Sequence, residues 1–440
     1  MQKSRIRWGL LVTACLLTVA CTAKSTEGGS ATETTVANSG VGVGNTVGLT
    51  DTTIKISMIS ADLSLLTEQN LAPEIGNAET TMKAVVADIN AHGGIAGRQI
   101  ELVSHVIKGA DAILNPDLGR QACVQATEDD KPFAVIITAS IPALLVQCAA
   151  VDHDVLTITM DSWPASLYDA AKGRLFALGS HISLERNRAY QAWPGVLDTA
   201  GLLKGKTLGV IRTDAADQQE TTDHSLIPAI EALGYKVAAE AVLPCPEGSQ
   251  TCDQQDVAIQ RMKDAGVDTV FLVAQTLAGS ATVEKAQALG YKPQWTTIGN
   301  NVTNTVAKFY SNAKENFDGA YGIDIQFTDW TPAAADCNKI AEAGGAEAFP
   351  IGSDGYGFTA VTCIQMQSIA NAIDAVNGTV DQASVIAALQ TSDPLMIAGP
   401  PGSLRPDKHD AGTAVFLSRY SAATEKFAPV DDQKPTIVPS

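Results

Sequence analysis

The sequence predicts an α/β protein built on two parallel sheets, each wrapped in helices. Three observations lead there. Residues 53–102 spell strand, amphipathic helix, glycine turn and strand, and such a βαβ unit implies a parallel sheet. A second run of alternating strands and helices fills residues 208–298. A chain of 440 residues is also too long for one ordinary domain.

Composition narrows the function. Hydrophobic residues make up 45% of the chain, enough for sizeable cores. A net charge of −18 argues against nucleic acid, which needs a basic face, and against electrostatic docking on anionic lipid. Aromatics at 5% are too sparse for a stacking platform.

Lys3, Arg5 and Arg7 precede an apolar run, Trp8–Ala20, that is too short to span a bilayer and suits a signal segment. It ends Leu17-Thr18-Val19-Ala20-Cys21, which resembles a bacterial lipobox with Cys21 as the lipidated residue. Thr18 stands where a larger aliphatic residue is commoner, and an ordinary cleaved signal is the alternative. Residues 22–50 are mostly small and polar and are expected to form a flexible tether.

The first sheet starts at Thr53–Ile59. In the helix that follows, Met82, Val85, Val86 and Ile89 recur at helical spacing, and Gly93 and Gly94 stop it. Gly97 turns the chain into the strand around Ile100 and Leu102. A helix is expected over Asn115–Asp129, then strands at Phe133–Thr138 and Val155–Met160. Ser140 falls at a helix N-cap after the first of these, and Asp161 and Ser162 follow the second. Open α/β sheets bind ligands at such strand ends, although Ser140 and Asp161 also suit plain capping. Ala61-Asp62 follows the first strand in the same way.

Leu175–Leu178 reads as a short strand and a crossing, and Leu184–Leu203 as a long helix. Strands follow at Leu208–Arg212, Lys236–Val242, Thr269–Val273 and Gln294–Ile298, with Asp214, Gln275 and Asn301 after three of them. Gly319–Gln326 reads as a returning strand carrying Asp324. Helices are expected at Asp354–Val376 and Gln382–Leu389, and a last strand at Ala414–Tyr420.

Six cysteines remain beyond Cys15 and Cys21, an even number that reads as disulfides in an exported chain. Local arrangement favours Cys123 with Cys148, Cys245 with Cys252, and Cys337 with Cys363. A metal site is the rival; no C-x-x-C is present, so no metal is expected. The six histidines are scattered, and there is no H-E-x-x-H, G-x-S-x-G or P-loop. No cofactor is expected. A hydrolase on this fold would need a nucleophile with a base beside it, which no motif supplies.

Residues 89–102, INAHGGIAGRQIEL, resemble the first βαβ unit of type I periplasmic binding proteins, typified by the leucine/isoleucine/valine-binding group. The ordered segments LKGKTLGVI, IEALGYKV, DTVFLV and QALGYKPQW resemble the second lobe of that family, so the resemblance covers most of residues 51–430. It implies two Rossmann-like (flavodoxin-like) lobes joined by a three-strand hinge, with crossings near Phe176, Asp324 and Gly399. The lobes would comprise residues 51–178 with 325–398 and residues 179–324 with 399–440. It also implies a non-enzymatic subunit of an ABC importer. Such a subunit would be a monomer, lipid-anchored on the outer face of the cytoplasmic membrane, with a permease and its ATPase as partners and a small polar solute as ligand. The expected ligand set is Asp62, Ser140, Asp161, Ser162, Asp214, Gln275, Asn301 and Asp324. In amino-acid-binding relatives a carboxylate after the strand matching Gln294–Ile298 commonly holds the ligand ammonium. Here that loop reads Asn300-Asn301, which opens the ligand to amides, acids and other polar metabolites. A ligand sensor docking on a receptor is the alternative role.

Overall fold

The computed structural model describes residues 46–68, 74–109, 115–138, 143–180, 183–245, 252–299, 307–324, 329–430 and 434–438. Cys21, Ser140 and Asn301 lie outside them. No helix among the described residues is long and apolar enough to cross a membrane.

The first sheet alternates strands and helices: β1 (Thr53–Asp62), α1 (Ala78–Ala91), β2 (Gln99–Lys108), α2 (Pro116–Val124), β3 (Ala134–Ile137), α3 (Ala143–Gln147), β4 (Leu156–Thr159), α4 (Ala165–Ala171) and β5 (Leu175–Ala177). Its five strands are all parallel, in the order β2-β1-β3-β4-β5. β1 runs on past the expected Ile59 to Asp62, because β2 keeps pairing with it to Lys108.

The glycine turn between α1 and β2 is fixed from both sides. Asn90 reaches past the helix end, its Nδ2 donating to the Ile100 carbonyl at 3.1 Å and its Oδ1 accepting from the Ile100 N–H at 2.8 Å. A side chain on Gly94 would sit 2.0 Å from the Arg98 carbonyl oxygen, so only glycine fits.

The second sheet follows α5 (Arg186–Thr199) with β6 (Leu208–Thr213), α6 (Ala216–Thr221), α7 (Ile227–Ala232), β7 (Val237–Leu243), α8 (Gln255–Asp264), β8 (Thr269–Val273), α9 (Thr276–Ala288), β9 (Gln294–Ile298) and β10 (Tyr321–Asp324). α6 passes into α7 through a π-helical turn. The chain returns to the first lobe as α10 (Pro332–Ala343), α11 (Asp354–Asp374) and α12 (Gln382–Gln390). It ends on β11 (Ala414–Ser421), β12 (Lys426–Pro429) and β13 (Thr436–Ile437), which the sequence pattern showed only in part. The strand order is β12-β11-β10-β9-β8-β6-β7, with β13 also on β11. β6 to β10 are parallel, while β11 and β12 close the edge antiparallel.

Each sheet is packed on both faces. Ile54, Ile56, Met58, Ile136 and Ile158 pack under α1, α10, α11 and α12. Ile59, Val135 and Ile137 point to the other side, toward α2, α3 and α4. Two further cores cover the second sheet, one with α8 and α9 and the other with α5 and α7. Near-continuous apolar strands buried on both faces are what a parallel sheet demands.

The connections between lobes run side by side. Ile397 N–H donates to the Gly179 carbonyl at 2.8 Å, Thr331 N–H to Ile397 at 3.0 Å and Ala411 N–H to Ala177 at 2.8 Å. Three disulfides join Cys123–Cys148, Cys245–Cys252 and Cys337–Cys363.

Candidate site between the sheets

In both sheets the helices start at the carboxyl ends of the parallel strands, where free N–H groups collect. Residues just beyond those ends determine what the site can hold. α4 follows β4 in the first lobe, and α6 follows β6 in the second. The Ser166 N–H at the start of α4 donates to Glu220 Oε1 on α6 at 3.2 Å, and the Ser166 hydroxyl donates to Oε2. The carboxyl ends of the two sheets therefore face each other, and the space between them is the candidate site.

Asp62 closes β1, and its Oδ1 accepts from the Ser64 N–H at 3.1 Å. Hydrogen bonds from the Ser64 hydroxyl and then its backbone N–H hold the carboxyl below its ordinary range, so it is ionised at neutral pH. Asp161 is buried beyond β4, its N–H donating to Thr159 Oγ1 at 3.3 Å. Ser162 donates its hydroxyl to the Leu184 carbonyl.

Arg186, the first residue of α5, organises this corner. Its Nη2 donates to the Ser162 carbonyl at 2.8 Å, its N–H to the Trp163 carbonyl at 2.9 Å, and its Nη1 to Asp217 of α6. Its guanidinium carbon lies 6.0 Å from the Trp163 ring centroid. Burial opposes the charge, but Asp217, with a smaller effect from Asp161, outweighs it and the pKa is raised. Arg186 is thus a fixed cation at the border of the site.

From the second lobe, Asp214 follows β6, and its Oδ1 accepts from the Cys245 N–H at 3.0 Å, tying it to the loop after β7. Gln275 is the exposed N-cap of α9, and its side chain makes no capping bond. Asp324 ends β10, opposite Phe416 of β11. The structure thus brings Asp161 and Ser162 together at Arg186. It engages Asp62 and Asp214 separately, Asp62 in its own local turn and Asp214 with the loop after β7.

Sequence reasoning missed Arg186, Asp217 and Glu220, which look like ordinary helix-surface charges. It also missed Gln365, fully buried on α11, which donates to the Ile137 carbonyl at the end of β3 at 3.3 Å. Gln365 Oε1 and the neighbouring Thr138 hydroxyl have no hydrogen-bond partner among the described residues, so polar groups lie beneath this strand end. A glutamine inside the apolar pattern of α11 was the available signal.

One grouping of metal-ligand type occurs among the described residues: Cys123, Cys148 and His153, with ligating atoms within 4.8 Å of one another. Both sulfurs are joined in the disulfide, which leaves His153 as the single ligand of the three.

Residues 70–425 match the family model for periplasmic binding proteins. No curated protein sequence matches the chain significantly. Among solved structures, a type 1 periplasmic binding protein from Bordetella pertussis Tohama I is 19% identical, with a TM-score of 0.63 over 88% of this chain and all of that one (100%). An ABC-transporter solute-binding protein from R. palustris in complex with 4-hydroxybenzoate is 16% identical, with a TM-score of 0.62, covering 88% of this chain and 98% of that one. A branched-chain amino acid ABC transporter protein from Thermus thermophilus with bound valine is 13% identical, with a TM-score of 0.61, covering 88% and 97%. Two parallel-sheet lobes with facing carboxyl ends, joined by paired connecting segments, agree with these matches: the chain belongs to the periplasmic binding protein family, with the type I architecture of its leucine/isoleucine/valine-binding-like group.

Proposed function

We propose that this chain is the extracytoplasmic solute-binding subunit of an ABC importer. It captures a small polar metabolite, an amino acid or a related amide or acid, between its lobes and delivers it to a membrane permease without turning it over. The observation that carries this reading is the contact of Ser166 with Glu220, which sets the carboxyl ends of two parallel sheets face to face. Ligands of open α/β sheets bind at such ends.

The lobes are residues 51–178 with 325–398 and residues 179–324 with 399–440. Closure brings Asp62, Ser140, Asp161 and Ser162 against Asp214, Gln275, Asn301 and Asp324. It expels water, which strengthens each polar contact, and the solute must bind the closed form better than the open one. Cys21 carries a lipid that keeps the subunit at the outer face of the membrane. The neutral Asn300-Asn301 pair opens the ligand to amides, small acids and other polar metabolites beside amino acids.

The test is a thermal-shift screen of the purified chain against amino acids, amides, polyols and small acids, including L-valine and 4-hydroxybenzoate. The hit should raise the melting temperature and lower the radius of gyration. A solute that binds tightly without compaction sinks the closure account, and conversion of the solute would make the chain an enzyme.

A further inference from the structure

The loop and helix after β4 are held to the second lobe at two points, Glu220 on α6 and Arg186 at the start of α5. Asp217 and Glu220 lie three residues apart on α6, which puts them on the same face. Asp217 holds Arg186, whose backbone and guanidinium both donate to first-lobe carbonyls, those of Trp163 and Ser162. Glu220 accepts from the Ser166 N–H and hydroxyl with its two oxygens. The first-turn N–H groups of a helix have no intrahelical partner, so a carboxylate there is favoured by both hydrogen bonding and the helix dipole. Ser166 belongs to the first lobe, since Leu167, Tyr168 and Ala171 of the same helix pack in its core. α6 belongs to the second lobe, packed on β6 and on the π-helical turn that leads into α7.

We propose that Asp217 and Glu220 form a clasp between the lobes: two positioning residues, not ligand contacts, that set how readily the lobes separate and hence how tightly the solute is held. Glu220 crosses the boundary directly, whereas Asp217 acts within its own lobe by fixing Arg186, whose bonds to the Ser162 and Trp163 carbonyls make the second crossing. Opening breaks both crossings, Glu220 to Ser166 and Arg186 to the Ser162 and Trp163 carbonyls, so the clasp favours the closed form before any solute arrives. Because a solute need not then supply all the closure energy, weakening the clasp lowers affinity mainly by speeding release. The inference rests on the two-lobe binding reading only in that the lobes separate.

The experiment uses the ligand-free chain and follows amide hydrogen exchange at Ser166 by nitrogen-15 NMR. Glu220→Ala removes the acceptor and should speed Ser166 exchange by roughly tenfold or more. Asp217→Asn decides the matter, because Asp217 does not touch Ser166. If the two contacts open together as a clasp, Asp217→Asn also speeds Ser166 exchange several-fold, while amides in β3 and β4 keep their wild-type protection. Unchanged Ser166 exchange in Asp217→Asn overturns the proposal and reduces Glu220 to a local helix cap. Ser166→Ala, approached from the other lobe, should likewise speed exchange of the Arg186 amide, and no change there counts against the clasp. No solute is added, so a failed ligand screen leaves this result standing, and a failed clasp leaves solute binding untouched.

Discussion

Asn90 pairs with the backbone of Ile100 through both halves of its amide, donating to the carbonyl at 3.1 Å and accepting from the N–H at 2.8 Å. The end of one helix thereby serves as a partner for the first residues of the next strand. Replacing Asn90 with Ala leaves two half-buried backbone groups to find water. Each lost bond of this kind costs about 1 kcal/mol, and more where water cannot reach the freed group. Asn90→Ala should therefore destabilise the chain by about 2 kcal/mol, read from urea unfolding as a lower midpoint at constant slope.

The adjacent glycines separate two effects that a sequence pattern merges. Gly93 and Gly94 both take positive φ, at 106° and 77°. A methyl group on Gly93 would meet nothing within 4 Å, whereas one on Gly94 would strike the Arg98 carbonyl at 2.0 Å. Gly93→Ala should cost about 1 kcal/mol of backbone strain alone. Gly94→Ala adds displacement of the turn and should cost at least about 3 kcal/mol. Equal unfolding midpoints for the two variants would remove the steric account.

Much of the first lobe was legible because its signals are local. The stripe of Met82, Val85 and Val86 and the glycine stop depend on spacing within a few residues. Asp161 and Ser162 were placed correctly after a buried strand for the same reason. What they touch was not legible: Leu184 and Arg186 lie more than twenty positions downstream and arrive through a crossing between lobes. Asp217 and Glu220 were hidden by composition, since in a chain of net charge −18 a carboxylate on a helix reads as solvation. The edge hairpin β11–β12 was half-seen, because Lys426–Pro429 carries no alternation and owes its strand form to pairing with Ser418–Ser421.

The disulfides differ in the loops they close. Cys337–Cys363 spans a sequence separation of 26, and Cys245–Cys252 one of 7. A cross-link restricts the unfolded chain more when its loop is longer. Serine replacement of the 337/363 pair should cost about 3.5 kcal/mol, and of the 245/252 pair about 2.5 kcal/mol. Urea titrations of the two double variants against wild type give the comparison, and a reversed order would argue for native-state packing over chain entropy.

At the connection between lobes, Asp410 is buried between two cations. Arg188 donates to one carboxylate oxygen, and Lys408 Nζ lies 3.4 Å from the other while donating to the Ser403 carbonyl at 2.7 Å. Burial lowers the Lys408 pKa to about 8, with Arg188 and Arg405 pushing the same way and Asp410 opposing. In the unfolded chain this lysine titrates near its ordinary value of about 10.4. Below pH 8 both states hold the proton, and the folded state bears the full cost of a buried ammonium. Between about pH 8 and 10 the folded state releases that proton while the unfolded state keeps it, so the unfolded state binds more protons and stability rises with pH. Lys408→Met removes the titration. Wild type should therefore gain on the order of 2 kcal/mol relative to Lys408→Met as pH rises from 7.5 to 10. Tyr190 and Tyr420, both pushed up to about 12, chiefly by burial, act oppositely above pH 10, where the unfolded chain ionises first. Those losses are common to both proteins and cancel in the difference. Parallel urea titrations across that range decide it, and a flat difference would mean that Asp410 keeps Lys408 protonated throughout.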